Sequence, residues 1–250
     1  MQENLISTNG VILSAMPVGE SDRRLLLLTK ELGKVSCFAH GVRKPTSPMV
    51  GRTRPFSFGR FDLFPGRDAY TLRTAEITEY FEPIVLDPVK SAVGSCFLEL
   101  ASRVSVENTD GSALLQLVYA ALSALTKDKM EPRLILLTFQ AKVLAFEGVL
   151  PEFKTCVKCR KPLETAVFQP SYLNVLCPDC APEDQGYPLS RSALYALSFI
   201  RETPPGKLFS FAVTDSVYKE LSAVVARLMA HMLEKPLSSM EMLKVFMNDL

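Results

Sequence analysis

Residues 10–42 read GVILSAMPVGESDRRLLLLTKELGKVSCFAHGV, and this stretch decides how the first third of the chain folds. It holds three short apolar runs separated by residues typical of turns, which is the pattern of short β-strands. In the third run Val35, Cys37 and Ala39 alternate with polar neighbours, as expected of a strand with one buried face. The stretch therefore predicts three consecutive strands at the start of an all-β domain.

Two more apolar runs follow, at 56–64 and 69–77, on either side of the turn sequence PGRD. Five short strands with glycine and proline between them predict a small barrel or sandwich. A five-stranded, partly open barrel of this size has the OB-fold architecture, which we take as the predicted fold of residues 1–80.

The periodicity changes from strand to helix after residue 83. Asp87 and Pro88 have the residue types of a helix N-cap and first turn. Apolar residues at helical spacing predict helices over 87–104, 114–125, 132–147, 190–202, 214–233 and from 238 onward. The chain is thus predicted to be an α+β protein with an OB barrel (1–80), a helical domain (81–150 and 186–250) and a cysteine-rich insert (151–185).

The insert contains two pairs of cysteines with identical spacing, CVKC at 156–159 and CPDC at 177–180. Two tight turns that each present two thiolates form a closed tetrahedral zinc site, whereas a redox pair needs only one such turn. We therefore predict one structural Zn²⁺ in a zinc-ribbon-like element, held by Cys156, Cys159, Cys177 and Cys180. Unpaired structural or redox cysteines are the alternative. Cys37 and Cys96 lie in strand and helix patterns and are predicted to be small buried hydrophobes.

Positive charge is concentrated in one part of the chain. The formal net charge is only +1, but residues 34–61 contain six basic residues and no acid. Cations along a groove with aromatic side chains between them are typical of surfaces that bind nucleic acid. The predicted nucleic-acid-binding residues are Lys34, Arg43, Lys44, Arg52, Arg54, Arg60, Arg67, Arg73, Phe56 and Phe58. The alternative is an ordinary solvated loop with its phenylalanines in the core.

Phe56 and Phe58 need a separate argument. On a regular strand they share one face, and Phe61 and Leu63 share the other, so both pairs cannot point inward. A bulge at Gly59 would reset the phase and bury all four, leaving only the cations for a ligand. Without the bulge, Phe56 and Phe58 would be exposed and could stack on bases. The bulge is favoured, but the sequence leaves both arrangements open.

Other classes of protein fit the sequence poorly. No run reaches the ~18 apolar residues of a membrane span, and no signal peptide is apparent, so a cytoplasmic protein is expected. The chain has two histidines, no cluster of metal-binding carboxylates and no glycine-rich phosphate loop before a helix. We therefore expect no enzymatic activity.

The chain resembles the bacterial recombination mediator RecO family. The resemblance covers nearly the whole chain and includes, besides residues 10–34, the segments AHGVRKPTS (39–47), RPFSFGRFDLF (54–64), LRTAEITEYF (72–81), FEGVLPEFKTCVKC (146–159), VLCPDC (175–180) and AHMLEKPLSSMEML (230–243). It implies an N-terminal OB-fold, a helical domain and a zinc-ribbon-like insert. Some family members lack the four cysteines that are intact here.

The resemblance also implies a function in DNA repair and homologous recombination. Family members bind single- and double-stranded DNA, anneal complementary strands, join RecR, engage the C-terminal tail of single-stranded-DNA-binding protein (SSB) and help to load RecA recombinase on gapped DNA. By position, the basic residues of the OB face would be Arg43, Lys44, Arg52 and Arg54. A cytoplasmic, nucleoid-associated location follows from the same resemblance.

Arg133 and Lys142 are the candidates for binding the SSB tail on the helical domain. They lie nine residues apart, so they need not share a helix face. The rival interpretation of the whole chain is a non-catalytic protein-interaction module, in which an OB barrel and a zinc ribbon serve a larger assembly without binding nucleic acid themselves.

Overall fold

The computed structural model describes residues 5–182 and 186–246. Residues 1–4, 183–185 and 247–250 belong to the predicted OB, insert and helical ranges respectively, and they lie outside the described residues.

The first five strands close into a barrel. They are β1 (Ile6–Val18), β2 (Asp22–Thr29), β3 (Gly33–Ala39), β4 (Phe58–Phe64) and β5 (Tyr70–Glu79). Their order is β1-β2-β3-β5-β4, and β1 pairs with β4 to complete the circle. The β3–β5 pair is parallel and the other pairs are antiparallel. This arrangement is the OB-fold, so the predicted barrel is confirmed.

The barrel core is formed by the inward-facing residues of each strand. Val35, Cys37 and Ala39 of β3 are buried there, as their alternation predicted, together with Phe61 and Leu63 of β4. Burial raises the pKa of the Cys37 thiol to about 12, so this cysteine behaves as a small hydrophobe.

Gly59 lies at the predicted irregularity. The pairing of β4 with β5 shifts register between Phe58 and Gly59, which confirms the bulge. The strand begins only at Phe58, and Phe56 occupies the preceding turn with φ of 70°. The Phe56 ring is buried against Gly94, where an added Cβ would lie 2.8 Å from it. Phe56 therefore belongs to the core, and the prediction that it stacks on bases is wrong.

Phe58 is half-buried rather than free. Its ring packs on that of Tyr119, with 4.7 Å between the ring centroids. Phe58 is one of the two phenylalanines considered for stacking on a base, and its ring is thus already in contact with an aromatic side chain of the protein.

The helices agree closely with the predicted ones. They are α1 (Glu82–Leu86), α2 (Pro88–Val104), α3 (Ser112–Thr126), α4 (Pro132–Phe146), α5 (Arg191–Glu202), α6 (Pro205–Leu208), α7 (Asp215–Met232) and α8 (Ser238–Phe246). Asp87 caps α2 as predicted, because its Oδ1 accepts from the backbone N–H groups of Val89 and Lys90. Only the short α1 and α6 were not predicted. In the described part of the chain, no helix combines the length and hydropathy needed to cross a membrane.

Contacts divide the chain into two compact units. The first is Met1–Thr126 with Ser239–Leu250, and the second is Lys127–Ser238. Helix α8 belongs to the first unit, where the backbone N–H and hydroxyl of Ser239 donate to Glu99 Oε2 at 2.8 and 2.7 Å. The predicted boundaries instead put 81–150 and 186–250 into one helical domain. Helical periodicity shows which face is buried, but it does not show which element covers that face.

Candidate metal centre and nucleic-acid interface

The cysteine-rich insert is built on a small sheet of three strands. These are β6 (Ala166–Gln169), β7 (Asn174–Leu176) and β8 (Tyr187–Leu189), in the order β7-β6-β8. Strand β8 lies beyond residue 185, so the sheet extends past the predicted end of the insert. The strands hold the two C-x2-C turns on one small scaffold.

Each turn is closed by its own backbone hydrogen bonds. In the first, Cys156 N–H donates to Lys161 O and Arg160 N–H donates to Cys156 O, both at 2.9 Å. Arg160 adopts φ of 63°, which completes the reversal. In the second turn, Cys180 N–H donates to Cys177 O at 3.0 Å. Two residues between the cysteines of each turn therefore let both thiols point the same way.

The four sulfur atoms converge on one point. All four Sγ atoms lie within 4.8 Å of one another, and those of Cys159 and Cys177 are 3.7 Å apart. A tetrahedral site with metal–sulfur bonds of about 2.3 Å has sulfur–sulfur edges of about 3.8 Å. The predicted ligand set is thus brought together, and its geometry fits a single metal ion.

The pKa values of the cysteine thiols also agree with a site that binds a cation. Burial opposes ionisation of Cys156, but hydrogen bonds from the backbone N–H groups of Cys159, Cys177 and Lys158 outweigh it and lower the Cys156 pKa to about 6. The Cys177 thiol, together with burial, raises the pKa of Cys180 to about 12. Without a cation the cluster therefore favours the thiolate form of Cys156 and opposes ionisation of Cys177 and Cys180. A bound divalent ion removes that resistance.

The basic segment, residues 40–57 between β3 and β4, is a series of turns. Ser47 N–H donates to Lys44 O at 2.9 Å, and Arg52 N–H donates to Met49 O at 3.1 Å. Thr53 is fully buried within it. The segment is therefore an ordered part of the barrel surface rather than a loose solvated loop.

Arg23 of β2 holds the basic segment in place. Its Nη1 donates to Val50 O at 3.1 Å, to Thr53 O at 2.9 Å and to Thr53 Oγ1 at 2.8 Å. Burial lowers the pKa of the Arg23 guanidinium, and repulsion from Arg54 and Arg43 lowers it further. Arginine keeps its charge even so, which places three positive charges close together.

Replacing Arg23 with methionine should lower the free energy of unfolding by about 2–3 kcal/mol, because buried acceptors of the basic segment lose their donor. Amide exchange should accelerate at residues 50–53. The neighbouring Arg24→Met, in which an exposed side chain is lost, should change stability by less than about 0.5 kcal/mol. Chemical denaturation measures both, and equal effects of the two substitutions would contradict the role of Arg23.

Arg43, Lys44 and Arg54 are the accessible cations of the basic segment. All three are exposed, and Arg43 Nη1 donates to Gly19 O at 3.0 Å. Across residues 5–182 and 186–246, no carboxylate lies within ion-pair distance of any of the three. Their field is therefore unneutralised, and a polyanion would experience it in full.

Two other predicted cations have structural partners. Arg52 Nη1 donates to Ala75 O at 3.2 Å, which ties the basic segment to β5. Lys34 Nζ donates to Ser102 O at 3.2 Å, which ties β3 to the end of α2. Both remain only partly exposed.

The last three predicted cations lie on β4, β5 and the turn between them. Arg60 is exposed and pairs with Asp62, at 3.8 Å from Nε to Oδ1. The Arg73 guanidinium lies 5.7 Å from the ring centroid of Phe64. Arg67 is exposed in the turn. The predicted set is thus spread around the barrel, and Arg43, Lys44 and Arg54 are its exposed members on the basic segment.

The sequence interpretation missed the outer face of β2 and β3. Arg24 lies opposite Phe38 in the pairing of these strands, and His40 follows β3 directly. The signal was available, because the alternation that puts Val35 and Cys37 inside puts Phe38 outside.

Arg133 and Lys142 do not come together. Arg133 bonds to Asp215 at 2.7 Å and lies 4.7 Å from the ring centroid of Tyr218. Lys142 is only 4% exposed, and its Nζ donates to Arg201 O at 2.7 Å. Nine residues rotate a helix by half a turn, so the two cations face opposite sides of α4. Lys142 is thus not the surface cation that was predicted.

Comparisons with known proteins agree on one family. Residues 1–81 match the model of the recombination protein O N terminal domain, and residues 85–241 match that of the recombination protein O C terminal domain. The DNA repair protein RecO of Acetivibrio thermocellus is 32% identical over 96% of this chain and 97% of that protein. The proteins of the same name from Desulforudis audaxviator and Bifidobacterium adolescentis are each 31% identical over at least 95% of both chains.

Both family models match, and the three relatives align with at least 95% of this chain. The aligned part includes the barrel, the helices and the cysteine cluster. The chain therefore belongs to the RecO family of DNA repair proteins.

Proposed function

We propose that this chain is a recombination mediator. It binds single- and double-stranded DNA, anneals complementary strands and, with RecR, helps to load RecA recombinase on gaps coated with SSB. The observation that carries the proposal is the unneutralised group of Arg43, Lys44 and Arg54 on an OB barrel in a RecO-family chain. Annealing needs no catalytic residue, because a basic surface lowers the repulsion between two phosphate backbones and holds them while bases pair.

We also propose that the four-cysteine cluster holds one structural Zn²⁺. Four thiolates fill a tetrahedral shell and leave no position for a substrate or a reactive water. Lys158, Arg160 and Lys161 lie beside the first turn and would offset part of the negative charge of such a centre. The metal would thus stabilise the insert without taking part in a reaction.

Partners and location follow from the same proposal. The protein would work in the cytoplasm at the nucleoid, where single-stranded gaps, SSB and RecR meet. Of the two residues assigned to the SSB tail, Arg133 remains the candidate, because its side chain is 26% exposed beside the Tyr218 ring, where an acidic tail would compete with Glu131 and Asp215 for the guanidinium. A cation next to an aromatic face suits an acidic tail that also carries apolar groups.

Annealing of complementary oligonucleotides tests this proposal directly. The chain should accelerate annealing of bare strands, and it should retain that effect on strands coated with full-length SSB. With SSB that lacks its C-terminal tail, the acceleration on coated strands should be lost. No acceleration of bare strands would contradict the annealing function. Equal acceleration with either form of SSB would contradict only the contact with the tail.

A further inference from the structure

Two aromatic rings stand side by side on the outer face of the barrel. Phe38 points outward from β3, and His40 follows two residues later on the same side. Their ring centroids are 6.4 Å apart, and their planes differ by 13°. The His40 side chain is 63% exposed and Phe38 is half-buried, so the pair is open to solvent mainly at the His40 ring.

The His40 ring is held in its orientation. Its Nδ1 lies 2.7 Å from Asp22 Oδ2, and Asp22 Oδ1 accepts from Gly41 N–H at 2.8 Å. The bond from Gly41 and the contact with His40 lower the pKa of Asp22, so the carboxylate stays charged. A ring that is fixed before a ligand arrives loses less freedom on binding.

The spacing of the rings matches that of stacked bases. Alternate residues of a strand are about 6.6–6.8 Å apart, and successive bases of a strand stack at about 3.4 Å. A flat ring placed between two others needs twice the stacking distance, about 6.8 Å. The distance between the ring centroids of Phe38 and His40, 6.4 Å, is close to that value.

We propose that Phe38 and His40 form a slot that takes one unpaired nucleobase of a single strand. The inference rests on the proposed DNA-binding function and adds to it a means of preferring single strands, because the bases of a duplex are already stacked and paired. Phe38 and His40 thus take the stacking role that the sequence had left open for Phe56 and Phe58.

Residues around the slot could contact the phosphates and the neighbouring nucleotides of the same single strand. Arg24 lies opposite Phe38, is exposed, and donates from Nε to Ser36 Oγ at 3.0 Å, so its guanidinium lies next to β3 and would meet a phosphate of the bound strand. Further along the same face of β3 is a cavity of about 210 Å³. Lys34, Arg67 and Tyr70 line it together with Asp68 and Glu107, so a neighbouring nucleotide would find a ring and charges of both signs there.

Replacing both rings with leucine tests the slot. Phe38→Leu with His40→Leu should weaken binding of an oligothymidylate by about 5- to 150-fold, since one stacked base is lost. Binding of a duplex of equal length should not change, and neither should the salt dependence, because the two rings are proposed to contact a base and not a phosphate. A single 2-aminopurine in the oligothymidylate should be quenched by the native protein and not by the variant.

Matched variants show whether the effect belongs to these two rings. Tyr195→Leu removes a ring that is 74% exposed on α5 and should have no effect. Phe38→Tyr keeps a stacking surface and should bind like the native chain. The single His40→Leu changes a mostly exposed side chain, so it remains a test if the double variant does not fold.

The outcomes separate this inference from the proposed function. Unchanged single-strand affinity, or an equal loss for single strands and duplex, would overturn the slot while leaving DNA binding intact. A native chain that binds neither form of DNA would instead refute the proposed function.

Discussion

Replacing Cys156 with serine should abolish metal binding and unfold the small sheet of the cysteine-rich insert. The strands β7 and β8 have three residues each, and strands so short are not stable without further support. The proposed metal would supply that support, since a structural Zn²⁺ contributes about 10–16 kcal/mol to the folding of small zinc-finger domains at neutral pH. This range overlaps the ~5–15 kcal/mol by which a typical domain is stable, so loss of the metal would remove most or all of the stability of a small insert.

The position of Cys156 makes the effect large. Its Sγ is one of the four sulfur atoms that converge in the cluster, and the next residue, Val157, donates from N–H to Val175 O of β7 at 3.1 Å. Loss of the ligand therefore frees the first turn from the metal and from the sheet together. Amide exchange should become fast over residues 154–180, while the barrel strands keep their protection.

Elemental analysis measures the first part of this prediction. The native chain should contain about one zinc, and Cys156→Ser should contain almost none. Cys96→Ala is the control, because it removes a buried thiol far from the cluster in sequence and should leave the zinc content unchanged. A native chain that is folded and free of metal would refute the zinc proposal, as would a serine variant with full metal content.

The cysteine cluster could be predicted from the sequence because its geometry is local. Two residues between cysteines fix a tight turn, and the turn fixes where the two thiols point, whatever the rest of the chain does. The strand alternation of Val35, Cys37 and Ala39 is local in the same sense, and so is the cap of α2 at Asp87.

The errors involve residues whose surroundings come from distant parts of the chain. Phe56 is buried because Gly94, on a later helix, leaves room for its ring. Lys142 is buried because the carbonyl of Arg201 accepts its hydrogen bond and replaces water. Neither neighbour can be read from the residues around Phe56 or Lys142, since the pattern of a segment does not reveal what packs on it.

Whether a residue is charged can be read from the sequence, but whether its charged group is exposed to a ligand cannot. Arg43 and Arg52 look alike in sequence, yet Arg43 is exposed and the Arg52 guanidinium reaches the carbonyl of Ala75. The sequence therefore predicted a basic surface on the barrel, and the structure was needed to separate the cations that hold the segment from those that are free to meet a phosphate.

Reversing the charges of Arg43 and Arg54 should remove most of the DNA affinity. We expect single-strand binding to fall by about 10- to 100-fold near 0.15 M salt for Arg43→Glu with Arg54→Glu. If the native chain neutralises about six phosphates, its log–log salt slope is about −4, and losing two contacts makes it shallower by about 1.4. The fold should persist, because both side chains are exposed and the new carboxylates relieve the repulsion at Arg23.

A variant with the same net charge decides whether the effect is local. Lys129→Glu with Lys219→Glu also reverses two exposed positive charges, both in the second unit. This variant should leave the DNA affinity and the salt slope nearly unchanged. Equal losses in the two variants would show that only net charge matters, against a defined interface. If DNA binding and annealing instead survive reversal of Arg43 and Arg54 in a folded protein, the barrel is not the DNA-binding surface. The protein-interaction module without nucleic-acid binding then becomes the better account of this chain.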